Sequence, residues 1–230
     1  MENKKLTPED FIYMQGKVLE WNILFGNDPS NKELISVYDG LVKEELNETL
    51  KAFEEVNEPE IIDGLCDLMY VAGFRWLLED VELDDLFLQN LHKGYHTVND
   101  VLEVLDDMVN GRKYIYSGYT LQTLVVKLLY LGSEKYNILE AFNRVTESNF
   151  SKAISKEDVI LGKIDLGDCI ESVENERRYE EVYFESCGEY YIIKAKVDKH
   201  EDKVYPTGKV CKGDWYKSVE DLGGLGEFIY

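Results

Sequence analysis

The chain has 230 residues, 44% of them hydrophobic, which is enough for a real core and excludes a disordered chain. Its 46 acidic residues against 25 lysines and arginines leave a formal charge of −21, which argues against a nucleic-acid partner, because phosphate backbones select basic surfaces. Its four cysteines, Cys66, Cys169, Cys187 and Cys211, have no C-x-x-C spacing, so neither a disulfide framework nor a zinc ribbon is supported and reduced thiols in a cytoplasm are expected. The first ten residues lack the apolar core of a signal peptide, and no run is long and uncharged enough to span a membrane.

In chain order, Thr7-Pro8-Glu9-Asp10 is a helix start: a capping hydroxyl, proline at the first helical position and acids in the first turn. This helix is expected to run to about Phe25, where Gly26-Asn27-Asp28-Pro29-Ser30 breaks it. Gln15, Trp21 and Phe25 have the chemistry of nucleobase contacts, but Trp21 and Phe25 one turn apart read first as core. A second helix is predicted over 33–56, with Leu41, Val42, Leu46, Leu50 and Phe53 as its apolar stripe. The link Asn57-Glu58-Pro59-Glu60 is so short that the next helix must lie antiparallel beside it.

Both helices carry carboxylates one turn apart. Glu45 and Glu48 project together, with Glu44 one turn from Glu48; Asp63 and Asp67 do the same on the next helix. The glutamates taken alone read as a solvated face. Asp63 and Asp67 differ, because they interrupt the run Ile61–Leu78, in which nearly everything else is apolar. Buried ionised carboxylates are costly unless paired or bound to metal. Two such faces brought together make a cage of oxygens, which suits a hard divalent cation; Mg²⁺ is commonly held by a few carboxylates and the substrate's phosphates. Glu60 is a further acid one turn before Asp63, or favourable charge at a helix start.

Beyond 80 the pattern is weaker. Asp80, Glu82, Asp84 and Asp85 form an acidic patch, and helical patterns follow near 97–109 and 119–131. His92 and His96 have the spacing of helical metal ligands but no third ligand nearby, and read as a surface pair. Tyr114, Tyr116 and Tyr119 pack on the core or form an oligomer contact. Residues 136–152 are the last core helix. From about 178 the chain alternates with period two, and Gly188 separates two strands of a hairpin. A hairpin alone is marginal, so it must pack on the helical body or pair with 203–212.

At the paired acids the chain resembles the MazG-type all-α nucleoside triphosphate pyrophosphohydrolases, whose pattern is E-x-x-E followed by E-x-x-D. Asp67 matches the final Asp. The position three before it is Gly64, a departure, and Asp63 stands in for the missing acid, as in phage-type members reading D-x-x-x-D. Val18–Gly26 is similar to the first helix of those members, Ala141–Lys152 to their S-N-M-S-K segment, and Thr207–Tyr216 to a G-K-V-x-K-G segment. The resemblance implies Mg²⁺, with Mn²⁺ as substitute, held by Glu45, Glu48, Asp63 and Asp67. It also implies substrate contacts from Asn149 and Lys152, with Lys209 and Lys212 able to reach a phosphate, and a homodimer or homotetramer.

The expectation is therefore a mainly α antiparallel helix bundle over 1–153, with helical insertion near 80–132. An α+β C-terminal appendage over 154–230, containing a small β-hairpin, is expected to pack on it. The expected activity is hydrolysis of a nucleoside triphosphate to the monophosphate and pyrophosphate, with Glu44 positioning or deprotonating water. The competing reading is a non-enzymatic acidic helical binding protein whose cation site is structural or absent.

Overall fold

A computed structural model of the chain describes residues 5–83, 88–113, 116–200 and 203–230. Asp84, Asp85 and Tyr114 lie outside the described residues. The protein is mainly helical, with eight α-helices among the described residues and one small antiparallel sheet. In chain order these are α1 (Pro8–Leu24), α2 (Ile35–Glu55), α3 (Glu58–Leu77), α4 (Val98–Val109), α5 (Gly118–Gly132), α6 (Ile138–Phe150), β1 (Ala153–Ser155), α7 (Lys156–Ile160), α8 (Leu166–Asn175), β2 (Tyr179–Cys187), β3 (Tyr190–Asp198) and β4 (Lys203–Val210). None of the described helices is long and apolar enough to cross a membrane.

The chain divides into two compact units. The first comprises Met1–Ile23, Asn27–Val145 and Gly223–Tyr230; the second comprises Leu24–Gly26 and Thr146–Leu222. The division falls within α6.

The first unit is built around α3. Thr7 opens α1 with a reciprocal cap: the Asp10 N–H donates to Thr7 Oγ1, and the Thr7 N–H donates to Asp10 Oδ2. Phe11, Met14 and Val18 on α1 are fully buried. Three neighbours lie antiparallel to α3. On α1, Val18 meets Gly73 and Trp21 meets Tyr70; on α2, Tyr38 meets Phe74 and Thr49 meets Gly64; on α5, the ends Gly118 and Gly132 meet Trp76 and Leu65. Glycine at 64 and 73 permits these approaches, because an added β-carbon would stand 2.5 Å from Thr49 Oγ1 and 3.2 Å from Val18. The α4 helix, capped by Thr97 and Asp100, packs on α5. Tyr70 stacks on Phe142 of α6 at 5.1 Å. Residues 223–230 complete this unit: Asn137 N–H donates to the Phe228 carbonyl, and Arg144 Nη1 donates to the Gly224 carbonyl.

Surrounded on three sides, α3 is buried along nearly its whole length. Beyond its first turn the exceptions are Asp63, Asp67, Val71 and Leu77, all half-buried. The first three recur every fourth residue and so form one stripe.

The second unit has its own core of Ile154, Val173, Tyr179, Ile193, Ala195 and Cys211, with Ile164, Leu166, Ile170 and Trp215 packed against it. Its sheet centres on β3. One edge of β3 pairs with β2 through a two-residue turn at Gly188, which has the positive φ such turns require. The other edge is shared, with β1 opposite 190–192 and β4 opposite 194–198. The fully buried Asp198 accepts from both Nε and Nη2 of Arg178 and from Lys209 Nζ.

Candidate active site

Charges on α2 and α3 act on the Glu45 carboxyl of α2. The predicted stripe of α2 is shifted in the structure: the fully packed positions are Tyr38, Val42, Leu46, Thr49 and Ala52, whereas Leu41, Leu50 and Phe53 are half-buried. The cause is the Thr49–Gly64 approach, which draws the small side chains of α2 into the seam. Tyr38, Val42, Leu46, Thr49 and Ala52 make the packed stripe, and the half-buried Glu45 stands at its border, next to Leu46 and one turn before Thr49.

The electrostatics record this placement. Burial, followed by the negative charges of Asp67, Glu48, Glu44 and Asp63, pushes the Glu45 carboxyl up to about 8. Four carboxylates from two helices thus act on Glu45, Asp67 most strongly among them. Glu44 and Glu48 are exposed at the rim, while Glu45, Asp63 and Asp67 are half-buried. Glu60 is exposed in the first turn of α3.

Among the described residues, no three carboxylate, imidazole or thiol groups converge with metal-ligand spacing. The donor set nevertheless suits a hard cation: it is all oxygen, its charges are concentrated, and Glu45 at neutral pH holds a proton where a cation would neutralise the same repulsion.

The position that departs from E-x-x-D has a physical explanation. Residue 64 faces the backbone of α2 at Thr49 and leaves no room for a side chain. The acid of this turn stands instead at the adjoining position, where Asp63 acts on Glu45.

The residues singled out for substrate contact assemble in the second unit. Lys152 Nζ donates to Asn149 Oδ1 at 2.6 Å and lies 5.8 Å from the centre of the Tyr216 ring. Lys212 Nζ lies 5.0 Å from the same ring, and the Tyr216 hydroxyl is 3.1 Å from Ser148 Oγ. Tyr216 is thus a hub that the sequence patterns do not single out; its only signal is an aromatic between two lysine-bearing segments. Lys209 is directed instead to Asp198.

Several other expectations are resolved. His92 and His96 are exposed and lie in a turn segment, not on a helix. Phe25 is buried, and Gln15 and Trp21 are half-buried, with Trp21 edge-on to Tyr70 at 6.0 Å. An open cleft in the second unit is lined by Asp168, Glu171, Ser172, Asn175, Glu176 and Asp214, none of them a predicted site residue.

Residues 26–94, which contain the whole of α2 and α3, match the phosphoribosyl-ATP pyrophosphohydrolase family. That family falls within the MazG-like all-α NTP pyrophosphohydrolase superfamily. Among curated proteins and among solved structures, none matches the chain. The family supports a hydrolase acting on phosphoric anhydrides.

Proposed function

We propose that this protein is a divalent-cation-dependent pyrophosphohydrolase that converts a ribo- or deoxynucleoside triphosphate to the monophosphate and pyrophosphate. One observation carries the reading: Asp67, Glu48, Glu44 and Asp63 act together on the Glu45 carboxyl, within the segment that matches the family. Glu45, Glu48, Asp63 and Asp67 would hold Mg²⁺, or Mn²⁺ in its place. Bound there, the ion would neutralise phosphate oxygens and lower the pKa of water.

The chain's own groups divide the remaining work. Glu44 is exposed at the rim, where it can orient water or accept its proton. Asn149, Lys152 and Lys212 offer one amide and two ammonium groups around Tyr216, a set that suits phosphate oxygens. The resemblance to phage-type members favours a cytoplasmic homodimer or homotetramer with its site completed between subunits.

The decisive experiment incubates the protein with a panel of ribo- and deoxynucleoside triphosphates and Mg²⁺. The expected products are pyrophosphate and a monophosphate. Stepwise orthophosphate release through the diphosphate would overturn the reading. Among the described residues no ligand groups converge with metal spacing, which favours a second reading, an acidic helical binding protein without turnover. A panel with no product from any nucleotide would select it.

A further inference from the structure

The charges of Asp63 and Asp67 on α3 act against Glu45 of α2, so something must hold the two helices in register. One contact is the Thr49–Gly64 approach on one side of the acids. On the other side lies Arg75, the buried cation of α3, only 3% exposed. Its Nε donates to Asp39 Oδ1 of α2 at 2.5 Å, and its Nη2 donates to Glu79 Oε1 at 2.8 Å. The other Glu79 oxygen accepts from the Gly118 N–H at 2.6 Å, at the first turn of α5. The Tyr116 ring covers the guanidinium at 5.5 Å. One planar group therefore ties α2, α3 and the start of α5 together.

We infer that Arg75 is a positioning residue for the acidic site: by holding Asp39 and Glu79 at once, it sets the rotation of α2 against α3 that brings Glu45 and Glu48 to Asp63 and Asp67. The inference rests on the reading of those acids as a cation site. Arg75 does not itself reach a bound ion, since it lies eight residues beyond Asp67, about 12 Å along the helix. Its effect passes through the helix as a rigid body. A guanidinium suits this role because its fork holds two carboxylates in fixed directions, which a lysine ammonium cannot do.

The test uses the full chain and Mn²⁺ alone, followed by electron paramagnetic resonance, well below each variant's Tm. Arg75→Met keeps the length and apolar stem. It leaves Asp39 and Glu79 about one-third exposed, so both can be hydrated and the fold is expected to survive. Its Mn²⁺ affinity should fall about 10- to 100-fold, the scale of lost supporting partners at metal sites. Arg75→Lys should recover part of that loss. A merely structural role predicts a lower Tm with unchanged Mn²⁺ affinity in the folded variant, and that result overturns the inference. If Arg75→Met fails to fold, Asp39→Asn decides: weaker Mn²⁺ binding supports the inference, and wild-type affinity overturns it. Asp67→Asn separates the two layers. If it retains wild-type Mn²⁺ binding, or if the wild-type chain binds none, the acidic-site reading falls and the inference falls with it.

Discussion

Gly64 lies against Thr49 so closely that a β-carbon at position 64 would stand 2.5 Å from the threonine hydroxyl and 3.2 Å from its α-carbon. Thr49 cannot easily turn away, because its hydroxyl donates to the Glu45 carbonyl at 2.7 Å. The same contact sets the spacing of the helices and excludes an acid at 64.

Gly64→Ala should therefore destabilise the first unit, although alanine is the better helix former. Overpacking costs about 1–3 kcal/mol and the gain in helix propensity is about 1 kcal/mol, so the net loss should be about 1 kcal/mol. Gly64→Glu, which restores the E-x-x-D spacing, should cost more and should not raise activity. Urea unfolding and turnover of both variants check this.

Asp67→Asn should abolish turnover while leaving the fold intact. It keeps the size of the side chain and removes the charge acting most strongly on Glu45. Without cation, the variant should be at least as stable as the wild type, since a repulsion is gone. Thermal melts in chelator and a pyrophosphate assay are the measurements; wild-type turnover in the variant would sink the acidic site.

Lys152→Ala and Lys212→Ala should raise KM for the triphosphate and leave Mn²⁺ affinity unchanged, because these ammonium groups cluster at Tyr216 and suit phosphate oxygens. An altered Mn²⁺ affinity with unchanged KM would reverse the assignment.

The second unit should be acid-sensitive through Asp198. Hydrogen bonds from Arg178, opposed by burial and reinforced by Lys209, hold its carboxyl well below the usual aspartate range. A depressed folded-state pKa contributes stability that is present above the unfolded value, near 3.8, and is lost as pH falls toward the folded one. Asp198→Asn should weaken the unit at pH 7 by up to about 3 kcal/mol, since its partners keep some exposure to water. It should also flatten the pH dependence below about 4. Unfolding followed through Trp215 fluorescence at pH 3 to 7 tests both points.

How far the site was legible follows from which signals were local. Asp63 and Asp67 stand out because they interrupt an apolar run, and the Asn57–Glu60 link places α2 beside α3. The place of Glu45 beside the apolar stripe was legible, but the burial of Thr49 and Ala52 was not, because they carry little hydrophobic weight and Thr49 is packed against Gly64 of another helix. Arg75 interrupts the same apolar run, but its partner Asp39 lies 36 residues away along the chain, and Gly118, joined to it through Glu79, lies 43 residues away. The helices α7 and α8 escaped the pattern for a similar reason: α7 has no fully buried residue, and Val173, the fully buried residue of α8, packs into a core shared with β1 and β3.

The return of residues 223–230 to the first unit has a consequence for synthesis. Tyr136 bridges to Ile229, Tyr230 N–H donates to the Lys135 carbonyl, and Arg144 pairs with Glu227 and lies over the Phe228 ring. On a ribosome, α1 to α6 emerge first, yet their unit lacks these contacts until the whole 146–222 segment has been translated. The later-made unit can close its sheet while the earlier-made one is still waiting for its final eight residues. A nascent chain stalled before residue 223 should therefore carry an incomplete helical unit.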